Sequence, residues 1–208
     1  MRVSKTAANM GGATPSHEPC RNANLARLRS TVEVPYPRSV AVFPTVLGWM
    51  AIAGYGDVVQ WLTLGHPSAA AAMAQIPSPW CESVADGWKS DLVRRLQDFA
   101  QGERDEFLDV AIDMGAQTPF QARVTACCRQ IAWGSTLTYA QLAELAGSLG
   151  AARAVGNCMA SNRIPLIVPC HRVVGSSGGL GGYSAAGGTV LKRRLLALEK
   201  GLPVMAAR

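Results

Sequence analysis

The densest chemistry in the chain is Pro169-Cys170-His171-Arg172, which closes an apolar run at residues 164–168. A free thiol with an ordinary pKa of ~8.5 is mostly protonated at neutral pH. A neighbouring imidazole or cation favours the thiolate, which is the nucleophile. His171 supplies the imidazole, and Arg172 adds positive charge. Neighbours on an extended strand point to opposite faces, so adjacency alone does not establish contact. Two readings therefore stand: an activated nucleophile, or the inert buried cysteine that most folds contain.

Rival motifs are weaker. Residues 175–179 satisfy G-x-S-x-G, but an esterase of that class needs its acid and His after the Ser, and His17, His66 and His171 all precede Ser177. The segment also lacks a P-loop lysine and the G-x-G-x-x-G order, so it reads as a glycine-rich loop. His17 and Cys20, with His66 and Cys81 further on, match no zinc spacing. No metal and no cofactor are expected. Cys127 and Cys128 read as packing residues, and Trp49, Trp61, Trp80, Trp88 and Trp133 as core.

The elements around these residues follow from periodicity and caps. Short apolar runs at 40–43, 48–53 and 58–64, separated by Pro, Gly and Asp, predict antiparallel strands. Residues 67–75 are Ala-rich and predict a short helix, and 90–101 place Leu92, Leu96 and Phe99 at helical spacing. The alternation of Phe107, Val110 and Ile112 predicts another strand within 106–114. Thr118-Pro119 starts a helix expected to run to about Trp133. Thr138 with Gln141 forms a capping box for a helix over 139–146, and 151–161 predict a third after a Gly-containing turn. Those last two helices make a helix-turn-helix candidate. Its second helix carries small residues and one Arg, Arg153. Such a helix suits a close approach to a minor groove with one inserted side chain, or a tight helix–helix packing face. Residues 164–174 are β-rich but broken by Pro165 and Pro169, 175–188 form a loop with seven glycines, and 189–199 predict a basic amphipathic helix.

Composition bounds the function. With 208 residues, 49% hydrophobic and 16% charged, the chain can bury a core. The net charge of +6 is unevenly placed: residues 1–117 carry 10 Lys/Arg and 12 Asp/Glu, whereas 118–208 carry 10 and 2. A basic half points to an anionic partner such as nucleic acid. Two stretches free of charged residues, 39–56 and 58–81, are interrupted by glycines or prolines and predict no membrane span. There is no secretory leader pattern at the start, and six cysteines in this length do not form a disulfide scaffold, so a cytoplasmic protein is expected. Residues 1–36 are expected to be a poorly ordered extension with at most a turn or two of helix at 24–29.

Residues 118–200 resemble the C-terminal domain of the O6-alkylguanine-DNA alkyltransferase (methylated-DNA–protein-cysteine methyltransferase) family. The resemblance rests on Pro169-Cys170-His171-Arg172-Val173, on Thr138-Tyr139-Ala140-Gln141-Leu142-Ala143, on Ala151 through Gly156, on Asn162, on Gly182-Tyr183-Ser184 and on Leu195-Leu196-Ala197-Leu198-Glu199. Phe43-Pro44-Thr45-Val46-Leu47-Gly48-Trp49 is similar to the opening of the family's N-terminal domain. The resemblance implies a two-domain α/β (α+β) fold. Residues 37–115 would form a small antiparallel-sheet domain, and 116–208 a mostly helical DNA-binding domain.

It also implies a function: suicide repair of O6-alkylguanine in double-stranded DNA, with O4-alkylthymine a further candidate substrate. The helix-turn-helix would bind the minor groove, the damaged base would be flipped into a pocket, and the alkyl group would pass irreversibly to Cys170. His171 would act as base through a water, and Glu199 would orient His171. Asn162 would brace the turn presenting the active-site strand. Arg153 would fill the gap left by the flipped base, with Ala152 and Gly156 against the DNA. Tyr139 would turn the target phosphate and contact the base. Met159, Val173, Tyr183 and Ser184 would line the pocket, with the Cys170 and Val173 carbonyls toward the guanine amino group and Ser184 near O6.

Two positions depart from the family pattern: Cys158 replaces a small Ala-like residue, and Arg163 stands where Pro is common. The alternatives are a lesion-binding or regulatory DNA-binding protein without transfer, and a Cys-His hydrolase. A related non-repairing group has Trp at the acceptor position, and retention of Cys170 favours transfer. A monomer acting on DNA, away from membranes, is expected.

Overall fold

The computed structural model describes residues 37–78, 87–176 and 178–202. The expectations for residues 1–36, Trp80 and Cys81 fall outside these. Three strands, β1 (Arg38–Phe43), β2 (Trp49–Tyr55) and β3 (Val58–His66), form an antiparallel sheet in the order β1-β2-β3. Each is longer by one or two residues than the apolar runs suggested, because pairing extends across polar ends such as Arg38↔Tyr55 and Trp49↔His66. Gly48 turns the first hairpin at φ 104°, with its Cα packed against the 65–66 backbone so closely that a side chain would not fit. Helix α1 (Ala69–Met73) starts at Ser68, whose side chain accepts from the Ala71 amide, and α2 (Ser90–Gln101) stops at the left-handed Gly102.

The strand expected within 106–114 is not formed. The Asp105 carboxylate accepts from the Phe107 amide at 2.8 Å, Phe107 adopts φ 50°, and the Val110 amide closes a turn on the Phe107 carbonyl. Only Ile112 bridges to the sheet, at Val59. The apolar alternation records burial of Phe107 and Val110 from a turn, not pairing. Arg95 on α2 holds this turn through both Asp105 and Asp109.

In the second half, α3 (Pro119–Arg129) carries a full capping box at Thr118 and Gln121. It ends four residues before Trp133, because the Trp133 amide is taken by the Glu106 carboxylate at 3.0 Å. Helices α4 (Tyr139–Leu145) and α5 (Ala152–Ala160) flank a turn with Gly147 at φ 72° and Gly150 at φ 79°. A short parallel pair, β4 (Leu137–Thr138) with β5 (Val173–Val174), was not evident from the sequence. The β-rich segment 164–174 otherwise forms turns: Pro165 and Pro169 lack amide donors, Leu166 sits at φ 72°, and Cys170–Arg172 is one 3-10 turn. Helix α6 (Gly188–Glu199) is the last helix among the described residues. The fold is a mixed α/β arrangement of an antiparallel-sheet part and a helical part.

One apolar core joins the sheet and α2 to Ile164, Leu166 and Ile167 and to Leu191, Leu195 and Leu198 of α6; a second lies among α3, α4 and α5 and includes Val168, Cys170 and Val173. The segment carrying Cys170 is thus gripped from both sides. The four described tryptophans stand at core margins instead of core centres. A Trp indole N–H needs a partner when buried, as Trp88 finds at the Gly56 carbonyl, 3.0 Å away. Leu195 is fully buried in the first core. Leu195→Ala is expected to lower the unfolding free energy by about 2–5 kcal/mol, read from urea denaturation; a loss below about 0.5 kcal/mol would mean that α6 does not tie the halves together. Among the described residues no helix is long and apolar enough to cross a membrane.

Candidate active site

Cys170 opens the 3-10 turn and lies at the wall of a cavity of about 410 Å³. The cavity is lined by Tyr139, Gly156, Met159, Ala160, Cys170, Gly182, Tyr183 and Ser184. Six of these were singled out from the sequence, and they come from α4, α5, the 3-10 turn and the glycine-rich loop. The loop closes on Tyr139 because Gly181, at φ 67°, lets its backbone press on the Tyr139 ring where any side chain would collide. Burial raises the pKa of Tyr139, and it raises that of Tyr183 further. Both phenols are protonated and can donate. The Tyr183 hydroxyl is buried with no partner among the described residues.

Asn162 holds the segment that leads to Cys170. Its Nδ2 donates to the Val168 carbonyl at 2.8 Å, and its Oδ1 accepts from the Ile164 amide at 3.0 Å. One side chain therefore closes the turn containing the strained Leu166. The expected active-site strand is replaced by this braced turn followed by the 3-10 turn.

Behind Cys170 lies a buried charge network. His171 Nε2 is 2.7 Å from Glu199 Oε1, and both side chains are fully buried. Arg172 Nε donates to both Glu199 oxygens at 3.0 and 3.1 Å, and the Gly134 amide donates to Oε2 at 3.1 Å. Burial opposes charge on Glu199, but the donors from His171 and Arg172 outweigh it and hold the carboxyl below its ordinary range. An ionised carboxylate only accepts, so His171 Nε2 carries the proton. Burial lowers the pKa of His171 despite the carboxylate beside it. The ring is therefore neutral, and Nδ1, which has no partner among the described residues, keeps a free lone pair. Burial raises the Cys170 pKa, while Asn162 and the Lys192 cation pull it back. The resting thiol is neutral and needs a base to become a nucleophile, and His171 is a neutral base beside it in the chain.

Arg172, read from the sequence as a positive charge near Cys170, does not face solvent. It is buried, and it also reaches Glu106 Oε2 at 2.9 Å and the Ile131 carbonyl at 2.6 Å, tying the site to the first half. Lys192 was missed. Its ammonium is buried and donates to the carbonyls of Val173 at 2.6 Å and Gly182 at 3.2 Å, 5.9 Å from the Tyr139 ring centre. The available signal was its spacing: Lys192, Leu195 and Glu199 are three and seven residues apart, on one face of α6. The basic amphipathic reading of this helix overlooked that Lys192 belongs to its inner face.

Away from the network, α5 buries Val155 and Met159 and exposes Arg153, with Ala152 and Gly156 half-buried. A side chain at Gly156 would meet nothing within 4 Å. Helix–helix packing therefore does not require a glycine at this position. Arg153 makes no ion pair among the described residues. Cys158 is half-buried, and Ser161 Oγ donates to its carbonyl. The described residues contain no cluster of three or more side chains suited to a metal.

Known proteins resemble this chain in sequence and fold. Residues 119–201 match the family described as 6-O-methylguanine DNA methyltransferase, DNA binding domain. The methylated-DNA–protein-cysteine methyltransferase of Mycobacterium tuberculosis H37Rv is 39% identical over 155 residues, covering 74% of this chain and 87% of that protein. The crystal structure of Mycobacterium tuberculosis OGT in complex with DNA superposes with a TM-score of 0.67 at 36% identity, over 80% of this chain and 96% of that one. The O6-methylguanine-DNA methyltransferase from Pyrococcus kodakaraensis gives a TM-score of 0.59 at 27% identity, over 78% and 99%. With the Mycobacterium tuberculosis relative 39% identical and matched over 87% of its length, the chain belongs to the methylated-DNA–protein-cysteine methyltransferase family.

Proposed function

We propose that the chain repairs O6-alkylguanine in double-stranded DNA by transferring the alkyl group to its own Cys170, once per molecule. The observation that carries the proposal is the roughly 410 Å³ cavity with Cys170 in its wall and the His171–Glu199 pair behind it. A base inside a duplex cannot reach a buried thiol, so the target must leave the stack and enter the cavity. His171 Nδ1 accepts the thiol proton, directly or through a water, while Glu199 stabilises the cation that forms. Sulfur attacks the alkyl carbon, the carbon–O6 bond breaks, and its electron pair goes to O6. Guanine regains a proton at N1, so the thiol proton ends on the product base. The thioether left on Cys170 has no route back to a thiol, which gives the single turnover.

In this reading Tyr139, Met159, Tyr183 and Ser184 shape the pocket, with Ser184 near O6, and the Val173 and Cys170 carbonyls receive the guanine amino group. Lys192 fixes the Val173 carbonyl, and Asn162 positions the segment. Residues 37–115 act as the N-terminal α+β domain and 116–208 as the DNA-binding transferase domain. The basic second half meets the phosphates. One chain carries the whole site, so a monomer suffices, and thiols at Cys128, Cys158 and Cys170 that form no disulfide among the described residues suit a reducing cytoplasm. A lesion-binding protein without transfer would not need a base held in a carboxylate network behind its thiol.

The deciding experiment is intact-protein mass spectrometry after mixing with an O6-methylguanine duplex, followed by peptide mapping. One added methyl per chain, on the Cys170 peptide, is expected. Unmodified protein that still binds the duplex would replace transfer with lesion binding. For Arg153, the finger role predicts that Arg153→Ala slows repair of duplex DNA at least about tenfold, the order of one lost insertion contact. Reaction with free O6-benzylguanine should stay within about twofold, since only the duplex must be opened. Equal losses on both substrates would remove the finger role.

A further inference from the structure

Arg172 lies between two carboxylates that come from opposite ends of the fold. Its Nε donates to Glu199 on α6, and its Nη1 donates to Glu106 Oε2 at 2.9 Å. Glu106 belongs to the first half, in the segment between α2 and α3. Its other oxygen accepts from the Trp133 amide at 3.0 Å and from Arg104 Nη2 at 3.1 Å. Burial opposes charge on Glu106, but the Trp133 amide and the Arg172 and Arg104 guanidiniums outweigh it and hold the carboxyl below its ordinary range. Glu106 is therefore an anion set against a fully buried cation.

The charges around His171 decide how readily the ring takes a proton. Glu199 on α6 favours the imidazolium, whereas Arg172 beside it and Lys192 on α6 oppose it. Cys170, Cys128 on α3 and Tyr183 in the glycine-rich loop add no charge, because burial raises the pKa of each. One carboxylate cannot offset two cations, and Glu199 is already shared between His171 and Arg172. A guanidinium offers five N–H donors in a planar fork, so it can serve two carboxylates at once. With Glu106 on one edge of the fork, less of the Arg172 charge acts on the ring and more of Glu199 is left to it.

We infer that Glu106 is a positioning residue for the transfer: acting through Arg172, it makes His171 a stronger base toward the Cys170 thiol. The inference rests on the repair reading above. The first half thus contributes a charge to chemistry that is carried out in the second, and Glu106 touches neither the thiol nor the base.

The test follows single-turnover methyl transfer from an O6-methylguanine duplex between pH 5 and 8, for the natural chain, Glu106→Gln, Glu106→Asp and Arg104→Glu. The rate should fall on the acid side as His171 becomes protonated. Glu106→Gln keeps the size and an acceptor oxygen but loses the charge. Its acid midpoint should move down by about half a pH unit, the order expected for a unit charge acting beyond direct contact. Its rate above pH 7 should fall about threefold, the same half unit expressed as a proton-transfer equilibrium. Glu106→Asp, which keeps the charge, should hold the midpoint within about 0.2 of the natural one. Arg104→Glu, at an exposed side chain beside Glu106, reverses a cation and should raise the midpoint by about 0.2, a small change because solvent screens it. A rate that falls in Glu106→Gln at an unmoved midpoint would mean that Glu106 only straps the two halves together, and would overturn the inference. So would a rate and midpoint indifferent to the substitution. If Glu106→Gln does not fold, Arg104→Glu decides alone, and an unmoved midpoint there overturns the inference. The rate at which iodoacetamide alkylates Cys170 without DNA, read by peptide mapping at pH 7, should fall about threefold in Glu106→Gln for the same reason. Absence of methyl transfer by the natural chain would overturn the repair reading, and an iodoacetamide rate unchanged in Glu106→Gln would overturn the inference separately.

Discussion

Cys170→Ala should abolish alkyl transfer, a fall of at least about a thousandfold, because it removes the atom that accepts the group. Binding to an O6-methylguanine duplex should persist, since the α5 face and the cavity walls contributed by Tyr139, Met159 and Tyr183 do not depend on the thiol. The thiol is small and the substitution leaves only a modest void, so stability should change by about 1 kcal/mol or less. Mass spectrometry of the mixed protein and gel-shift titration on the same sample separate the two effects. Residual methylation of the Ala variant at another cysteine, with Cys158 the half-exposed candidate, would move the acceptor role away from Cys170.

Glu199→Gln should damage both stability and chemistry. The carboxylate takes donors from His171, Arg172 and the Gly134 amide in a fully buried setting. Removing its charge leaves Arg172 with Glu106 as its remaining acidic partner, and breaking a buried pair in this way costs about 3 kcal/mol or more. His171 would lose the anion that stabilises its protonated form, so transfer should slow by about a hundredfold, the lower range for a general base. Denaturation in urea and single-turnover transfer measure the two losses. A variant with natural stability would show that the network is not holding the fold.

The same network sets an acid limit. Glu199 is held below its ordinary 4.5, so its contribution to stability is complete above the unfolded-state value and is lost as pH falls through the folded one. His171 lies below its ordinary 6.5 because of burial, and it takes up its proton on unfolding, so it acts in the same direction. Stability of the natural chain should therefore decline from about pH 6.5 downward. In Glu199→Gln the portion of that decline belonging to the carboxylate, below about pH 4.5, should be missing.

Much of this protein was legible in its residue order. Local rules are strong where one residue or cap decides the outcome. Thr118 with Gln121 and Thr138 with Gln141 cap their helices as their types dictate, and the hairpin strands follow their apolar runs. The family resemblance named six of the residues that line the cavity beside Cys170. What the order of residues did not determine is which charges lie inside. Arg172 read only as a positive charge near Cys170 and Lys192 only as part of a basic amphipathic helix, and long charged side chains are rarely fully buried. Only the packing of α6 against both cores turns Lys192 toward Val173 and Gly182 and brings Glu199 to His171 and Arg172. The residues 106–114 failed as a strand for a related reason: a side chain of Asp105 and a partner on α2 outbid the alternation. Chemistry that depends on one residue type is written locally, whereas the pKa of His171 and the pairing of Glu199 depend on groups that meet only when distant elements pack, and that meeting belongs to the tertiary structure.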